Sequence, residues 1–303
     1  CNGQLVAGER SASGRHICTD SRLAKPGDLF VAIRGDRFDG HDYLNDALGQ
    51  GAEAAVVNRS RLAQAESAGP MIGVDETRCA LGQLAARYRQ DFELPVVAVG
   101  GSNGKTSTKE ILATVLGQRL ETLSSEASFN NDIGVPLTLL RLREAHEAAV
   151  LEVGSNHPGE FEPVLRPTRP RHGGLTSIRR DHVSFLRDLV AVHGDDGALA
   201  EALPPEGCLF VNGDIEGLEA IRRRCRATVV TVGEGEACDW RIADIRSDDK
   251  GTTFKIISPK GDRNGAYCVN LLGHKNARNA ALAIALAAEL GLSREELDQG
   301  LQR

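Results

Sequence analysis

The chain has 303 residues, long enough to bury two separate apolar cores rather than one small one. Its net charge is −6, with 36 basic and 42 acidic side chains mixed along it, so there is no broad basic footprint for nucleic acid, and an anionic ligand would need local cations or backbone N–H donors. Its seven cysteines, at 1, 18, 79, 208, 225, 238 and 268, form no C-x-x-C pair or other metal-ligand spacing, and no run approaches the roughly eighteen apolar residues of a membrane span or the layout of a signal peptide, so the expectation is a cytoplasmic protein with reduced, mostly buried thiols. A monomer is expected, although no sequence feature fixes the oligomeric state.

In chain order, residues 1–92 read as a small α/β domain. Short apolar runs at Leu29 to Ile33 and Ala54 to Val57 are separated by Gly/Asp-rich turns, and Leu81 to Tyr88 keeps a helical period. The polar stretch Arg89 to Glu93 then marks a boundary. Residues 93–303 alternate strands and helices: strand Val96 to Val99, helix Lys105 to Leu116, strand Ala148 to Val153, strand Gly174 to Ile178, helix Leu189 to Leu203, strand Cys208 to Asn212 and strand Ala227 to Val232. That alternation predicts a mostly parallel sheet covered on both faces. Trp240 to Arg246, Gly251 to Ser258 and Gly265 to Leu271 read as three strands of an antiparallel extension. The Ala-rich run Asn276 to Leu290 is a helix, and Ser293 with Glu296 forms a capping box that opens another.

The strand-to-helix passage VVAVGGSNGKTSTKE carries the strongest chemical signal. Gly101, Ser102, Asn103, Gly104, Lys105, Thr106 and Ser107 have the G-x-x-G-K-T core of a phosphate cradle. Its glycines let backbone N–H groups face anionic oxygens, the helix N-terminus adds positive potential, and Lys105 places a charge on the outer phosphates. Thr106 offers a hydroxyl to Mg²⁺. The reading is ATP binding, although Val99 stands where the full phosphate-loop pattern has its first glycine. Two further polar groups lie near later strand ends, where open parallel sheets place ligand contacts: Glu152 at the end of AAVLEV, and His182 in RRDHVSF. Taken alone, an acid at the place of Glu152 is more often a solvated loop residue, and His182 is as readily a surface histidine as a metal ligand.

With the loop, the strings Phe129-Asn130-Asn131-Asp132-Ile133-Gly134-Val135-Pro136-Leu137-Thr138 and Asn156-His157-Pro158-Gly159-Glu160 make the chain resemble the Mur ligases of peptidoglycan synthesis. Within that family they favour the branch that joins D-alanyl-D-alanine to UDP-N-acetylmuramoyl-tripeptide, over the branch adding the third residue and over folylpolyglutamate synthases. Thr19-Asp20-Ser21-Arg22, Pro26-Gly27-Asp28-Leu29-Phe30 and Asp39-Gly40-His41 resemble the family's uridine-nucleotide domain. The resemblance covers the family's first domain and its central ATPase domain, with the third, C-terminal one lying outside the sequence. Residue 1 is Cys rather than Met, and the chain reads as trimmed at both ends.

The resemblance implies ATP and Mg²⁺ as cofactors and an acyl-phosphate route to an amide. It gives Lys105 the β and γ phosphates, and gives Thr106 and Glu152 one magnesium. His182 then helps hold a second, Asn130 and Asn131 meet the substrate and phosphate region, Asn156 and His157 line the cleft, and Ser21 with Arg22 contacts the uridine or pyrophosphate. Three positions depart from the family pattern. Asp196 stands where many members carry a carbamylated lysine, and either ligates the second metal or, with Asp195, caps the following helix. Gly273-His274-Lys275-Asn276-Ala277-Arg278-Asn279 has lysine where the adenine-side string usually has histidine, leaving Asn276 and Asn279 as the amides beside the base. Gly100 replaces a common threonine. The altered positions keep a second class open, a nucleotide-binding homologue without catalysis.

Overall fold

The computed structural model describes residues 2–7, 16–62, 69–154, 161–177, 195–215 and 217–303, with backbone alone for 195 and 196. The chain divides into two compact units, Cys1–Asp91 and Phe92–Arg303.

In the first unit, β1 (Gln4–Ala7), β2 (His16–Cys18), β3 (Asp28–Val31), β4 (Ala54–Asn58) and β5 (Met71–Val74) form one sheet in the order β1-β5-β4-β3-β2. The pairs from β2 to β5 are parallel, and β1 joins β5 antiparallel. Phe30, Ala32, Leu44, Ala47, Ala55, Val57 and Met71 make its core. The fully buried run Ala54–Val57 is the continuous apolar strand expected when helices cover a sheet.

The second unit holds β6 (Val96–Gly100), β7 (Thr122–Ser124), β8 (Ala148–Glu152), β9 (His172–Leu175), β10 (Cys208–Asn212), β11 (Thr228–Gly233), β12 (Trp240–Asp248), β13 (Gly251–Ile257) and β14 (Gly265–Val269). Their order is β14-β13-β12-β11-β10-β9-β6-β8-β7. Pairing is parallel from β7 to β12 and antiparallel from β12 to β14, the predicted extension. Helices Lys105–Leu116 and His274–Glu289 pack together over one face, with Val97, Val99, Val150 and Phe210 beneath them. By the period of two, Ala98 and Gly100 face the other side, where a Cβ on Gly100 would sit 3.1 Å from Leu199 Cδ2. Leu199 thus occupies the space that a side chain at 100 would need. No helix among the described residues is long and apolar enough to cross a membrane.

The structure corrects several boundaries. The strand expected from Gly174 is His172–Leu175, because Gly173 and Gly174 lie flat in the sheet under Leu209 and Leu286 rather than in a turn. Thr176 and Ser177 leave the sheet to bond the phosphate loop. The helix expected over Leu189 to Leu203 is described as Asp195–Ala202, which puts Asp195 and Asp196 in its first turn, and residues 189–194 fall outside the described residues. Short helices Gly134–Leu139, Phe161–Thr168 and Leu218–Arg224 join the ones read from sequence. The thiols were expected to be mostly buried. Cys18, Cys208, Cys225, Cys238 and Cys268 are half-buried and Cys79 is exposed, all of them free.

Candidate functional site

Around the phosphate loop, β6 delivers the chain at Gly100 to a turn that only glycine enters easily: Gly101 has φ 119° and Gly104 φ 88°. The loop is tied down from β9. Ser102 N donates to Ser177 O at 2.9 Å and Asn103 N to Ser177 Oγ at 2.8 Å, while Thr176 Oγ1 donates to Asn103 O at 2.6 Å. The helix Lys105–Leu116 starts at once, so its first N–H groups, without intrahelical partners, point into the cradle. Lys105 Nζ bends back to Gly101 O at 2.7 Å, spanning the loop as a charged strut.

Glu152, at the end of β8 beside β6, is 1% exposed. It is a structured acid, not a solvated one. Its Oε2 accepts from Thr106 Oγ1 at 2.8 Å, its Oε1 from Asn130 Nδ2 at 2.8 Å, and its backbone N donates to Ser125 Oγ at 3.2 Å. Gly154 makes room for this cluster, since a Cβ there would meet Asn130 Nδ2 at 3.2 Å and Lys105 Cε at 3.5 Å. Lys105, Thr106, Asn130 and Glu152 therefore converge at the carboxyl edge of the sheet. A hydroxyl and a carboxylate side by side at a phosphate cradle are hard oxygen donors of the kind Mg²⁺ takes.

Sequence reasoning missed the residues that hold this arrangement. Thr176, Ser177 and Ser125 give no sequence signal beyond being small polar residues near strand ends. Lys109 is fully buried, and its Nζ donates to Ser125 O at 2.7 Å, Ala127 O at 2.9 Å and Glu110 Oε1 at 2.6 Å. It fastens the segment carrying Asn130 to the helix that follows the loop. Its signal was its position, one turn after Lys105 on the same helix face.

The remaining candidates divide. Asn131 serves structure, with Oδ1 accepting from Gly134 N at 2.9 Å and Ile133 N at 3.2 Å at the start of helix Gly134–Leu139. Asn279 lies against the loop, where a Cβ on Gly104 would come within 2.6 Å of its Oδ1. Asn276 is a neighbour, its Nδ2 donating to Leu272 O at 2.9 Å, and His274 and Lys275 are exposed at the same helix start. Ser107 is half-buried in the first turn after the loop. His182, Asn156 and His157 lie outside the described residues, as does the side chain of Asp196.

In the first unit, Asp20 caps a short turn and pairs with the guanidinium of Arg22 at 2.6 Å, while Ser21 is buried. Arg22 is 85% exposed and presented to solvent. Asp39-Gly40-His41 is a structural knot. Asn58 N donates to His41 Nε2 at 2.9 Å, which puts the ring proton on Nδ1, 2.6 Å from Asp39 Oδ1. Burial alone would push the Asp39 carboxyl up, but the bonds from His41 outweigh it and hold the group below its ordinary value.

Gly101→Ala tests how tightly the loop is built. A Cβ there would sit 2.4 Å from Thr176 Oγ1 and 2.9 Å from the backbone of Ser177, at a φ that L residues avoid. The expected result is a loss of about 2 kcal/mol, read by calorimetry as a fall in Tm of roughly 4–8 °C.

A parallel sheet whose first central strand passes through a glycine-rich loop into a helix, with a buried carboxylate on the adjoining strand end, places the second unit among the α/β proteins built on a phosphate-binding loop. The Mur ligase middle domain family matches residues 99–287, and the Mur ligase family catalytic domain matches residues 15–89. The chain belongs to the Mur ligase family. It is similar to the UDP-N-acetylmuramoyl-tripeptide–D-alanyl-D-alanine ligase of Haemophilus influenzae, with 33% identity across 98% of this chain and 65% of that protein. The Bacillus subtilis ligase of the same name is 34% identical across 94% of this chain and 61% of its own length. A crystal structure of MurF from Acinetobacter baumannii superposes with a TM-score of 0.85 at 32% identity, covering 96% of this chain and 63% of that one. MurF ligase from Thermotoga maritima in complex with ADP shares the fold, with a TM-score of 0.78 at 23% identity, over 96% of this chain and 67% of its own. The chain thus spans under two thirds of the length of these first curated relatives.

Proposed function

We propose that this chain forms the substrate-binding and ATP-binding parts of a ligase that joins D-alanyl-D-alanine to UDP-N-acetylmuramoyl-tripeptide. The observation that carries this reading is the convergence of Lys105, Thr106, Asn130 and Glu152 on one phosphate cradle. The names of its full-length relatives support the choice of substrates.

A carboxylate is a poor acyl donor, because the oxide it would have to expel is a poor leaving group. In the proposed reaction the terminal carboxylate of the tripeptide attacks the γ-phosphorus of ATP, the bond to the β-phosphate oxygen breaks and ADP leaves. The acyl phosphate then meets the amine of D-alanyl-D-alanine, an amide bond forms, and inorganic phosphate departs with the amine proton passing to a base or water. The chain's own part is positioning and charge neutralisation. The loop N–H groups and the helix N-terminus hold the phosphates, and Lys105 turns from Gly101 O to the β and γ oxygens. Thr106 and Glu152 would hold Mg²⁺, which neutralises charge developing on the phosphates. Asn130, anchored on Glu152, faces the transferred group, and Asn276 and Asn279 flank the base side of the loop. His182 and Asp196 would complete a second metal position, with Asn156 and His157 along the cleft and Ser21 and Arg22 on the uridine side. The proposed setting is a monomer in the cytoplasm.

The test follows phosphate release by the intact protein with UDP-tripeptide, ATP and D-alanyl-D-alanine. Release dependent on all three supports the reading. Tight ATP binding without release for any amine would leave a nucleotide-binding homologue. Glu152→Gln preserves the shape of the side chain but removes its charge, so release is expected to fall about 10²-fold or more at fixed Mg²⁺, with the Mg²⁺ requirement moved to higher concentration. An unchanged Mg²⁺ profile would remove Glu152 from the metal position.

A further inference from the structure

At the amino edge of the second unit's parallel strands, opposite the phosphate loop, three potential ligands meet. His172 is the first residue of β9 and Cys208 the first of the adjoining β10, paired across the ladder, while Glu289 ends the helix His274–Glu289 that lies over them. One ligand atom from each lies within 4.8 Å of the other two. His172 is 6% exposed, and its Nδ1 is buried without a hydrogen-bond partner. Cys208 Sγ donates to Glu289 Oε1 at 3.5 Å. Glu289 carries its negative charge at the C-terminal end of a helix, where the macrodipole is already negative, and no basic residue stands in that last turn. Arg171 is the positive group nearby, acting on both His172 and Cys208.

An orphaned buried imidazole nitrogen, a thiol bonded to a carboxylate and a carboxylate at a negative helix end share one feature: among the described residues none of the three is bonded directly to a cation. We propose that His172, Cys208 and Glu289 form a three-residue site for a divalent transition-metal ion of the zinc class, separate from the nucleotide site. The spacing fits. A thiolate at about 2.3 Å and a carboxylate oxygen at about 2.0 Å from one tetrahedral ion stand about 3.5 Å apart, the separation of Cys208 Sγ and Glu289 Oε1. The mixed nitrogen, sulfur and oxygen set suits Zn²⁺ or Co²⁺ and disfavours Mg²⁺, which the oxygen donors of Thr106 and Glu152 suit instead. Three protein ligands leave a fourth position to water.

Binding displaces the Cys208 proton to solvent and replaces it with the metal.

The experiment is a Co²⁺ titration of the intact protein in saturating MgATP, which keeps the phosphate loop occupied, with the sulfur-to-cobalt charge-transfer absorption as readout. One equivalent of Co²⁺ with a thiolate band is expected, displaced by Zn²⁺. Cys208→Ser should abolish the band. Glu289→Gln, at an exposed position that does not threaten folding, should weaken Co²⁺ by about tenfold or more, because losing a ligand costs at least what losing a ligand's supporting contact does. Cys225→Ser should leave the band intact, although Cys225 acts electrostatically on Cys208. No thiolate band, a band that survives Cys208→Ser, or affinity unchanged in Glu289→Gln would each overturn the site.

Discussion

Lys105→Ala is expected to lower ATP-dependent phosphate release by about 10³-fold while leaving the fold in place. The ammonium is the only cationic side chain of the loop itself, and it reaches across to Gly101 O. It is therefore already held near where phosphate oxygens would lie, and little must be reorganised to neutralise charge that builds in the transition state. Structurally its loss removes one hydrogen bond from a half-buried position, about 1 kcal/mol. Release kinetics beside calorimetry separate these effects. Collapse of kcat with Tm within a few degrees of the parent is the expected pair, and an unchanged rate would remove the loop from catalysis. Lys105→Arg should not restore the rate, because a planar fork cannot replace a compact point charge between two phosphates.

Lys109→Met is expected to act the other way round, through stability first. The Lys109 ammonium is fully buried and gives its protons to Ser125 O, Ala127 O and Glu110 Oε1. A methionine fills the volume but strips two main-chain carbonyls of a charged donor, each costing about 1–3 kcal/mol. Ala127 also sits at φ 44°, a conformation that persists only where its surroundings enforce it. The expected loss is about 2–5 kcal/mol, a fall in Tm on the order of 10 °C. The same segment leads to Asn130 and presents Ser125 Oγ to Glu152 N, so protein that remains folded should also show a raised KM for ATP. A Tm within a degree of the parent would mean that the segment holds its shape without the lysine.

The two lysines differ in how they could be found. Lys105 belongs to a local pattern, in which glycines at positive φ, a helix start and a following hydroxyl are neighbours in sequence, and their geometry follows from backbone sterics. Ser293 and Glu296 form their capping box for the same reason, as does the Ala-rich helix ahead of them. Lys109 looks in sequence like a solvated helix residue. Only the 125–127 segment folding over it turns the ammonium inward.

Short elements were the least legible. Phe161–Thr168 carries a proline inside it, and Gly134–Leu139 opens on a glycine and includes Pro136, so propensity argues against both. Packing against neighbouring helices overrides it. Likewise the sequence reading starts that strand only at Gly174, whereas it runs from His172, where the bulk of Leu209 and Leu286 above and below makes small residues necessary at 173 and 174.

By itself the sequence determined the α/β class, the phosphate loop, the helix that follows it and the antiparallel tail, because each depends on residues within one or two turns of each other. The tertiary structure alone decided which acid meets the loop: Thr106 and Glu152 are 46 residues apart, and Asn130 and Glu152 are 22 apart. It also brought His172, Cys208 and Glu289 to the opposite edge. Parallel strands connected by crossovers gather their carboxyl ends at one edge and their amino ends at the other, and which strands become neighbours is set by how helices and sheet bury apolar surface together, a choice that no local window of sequence contains.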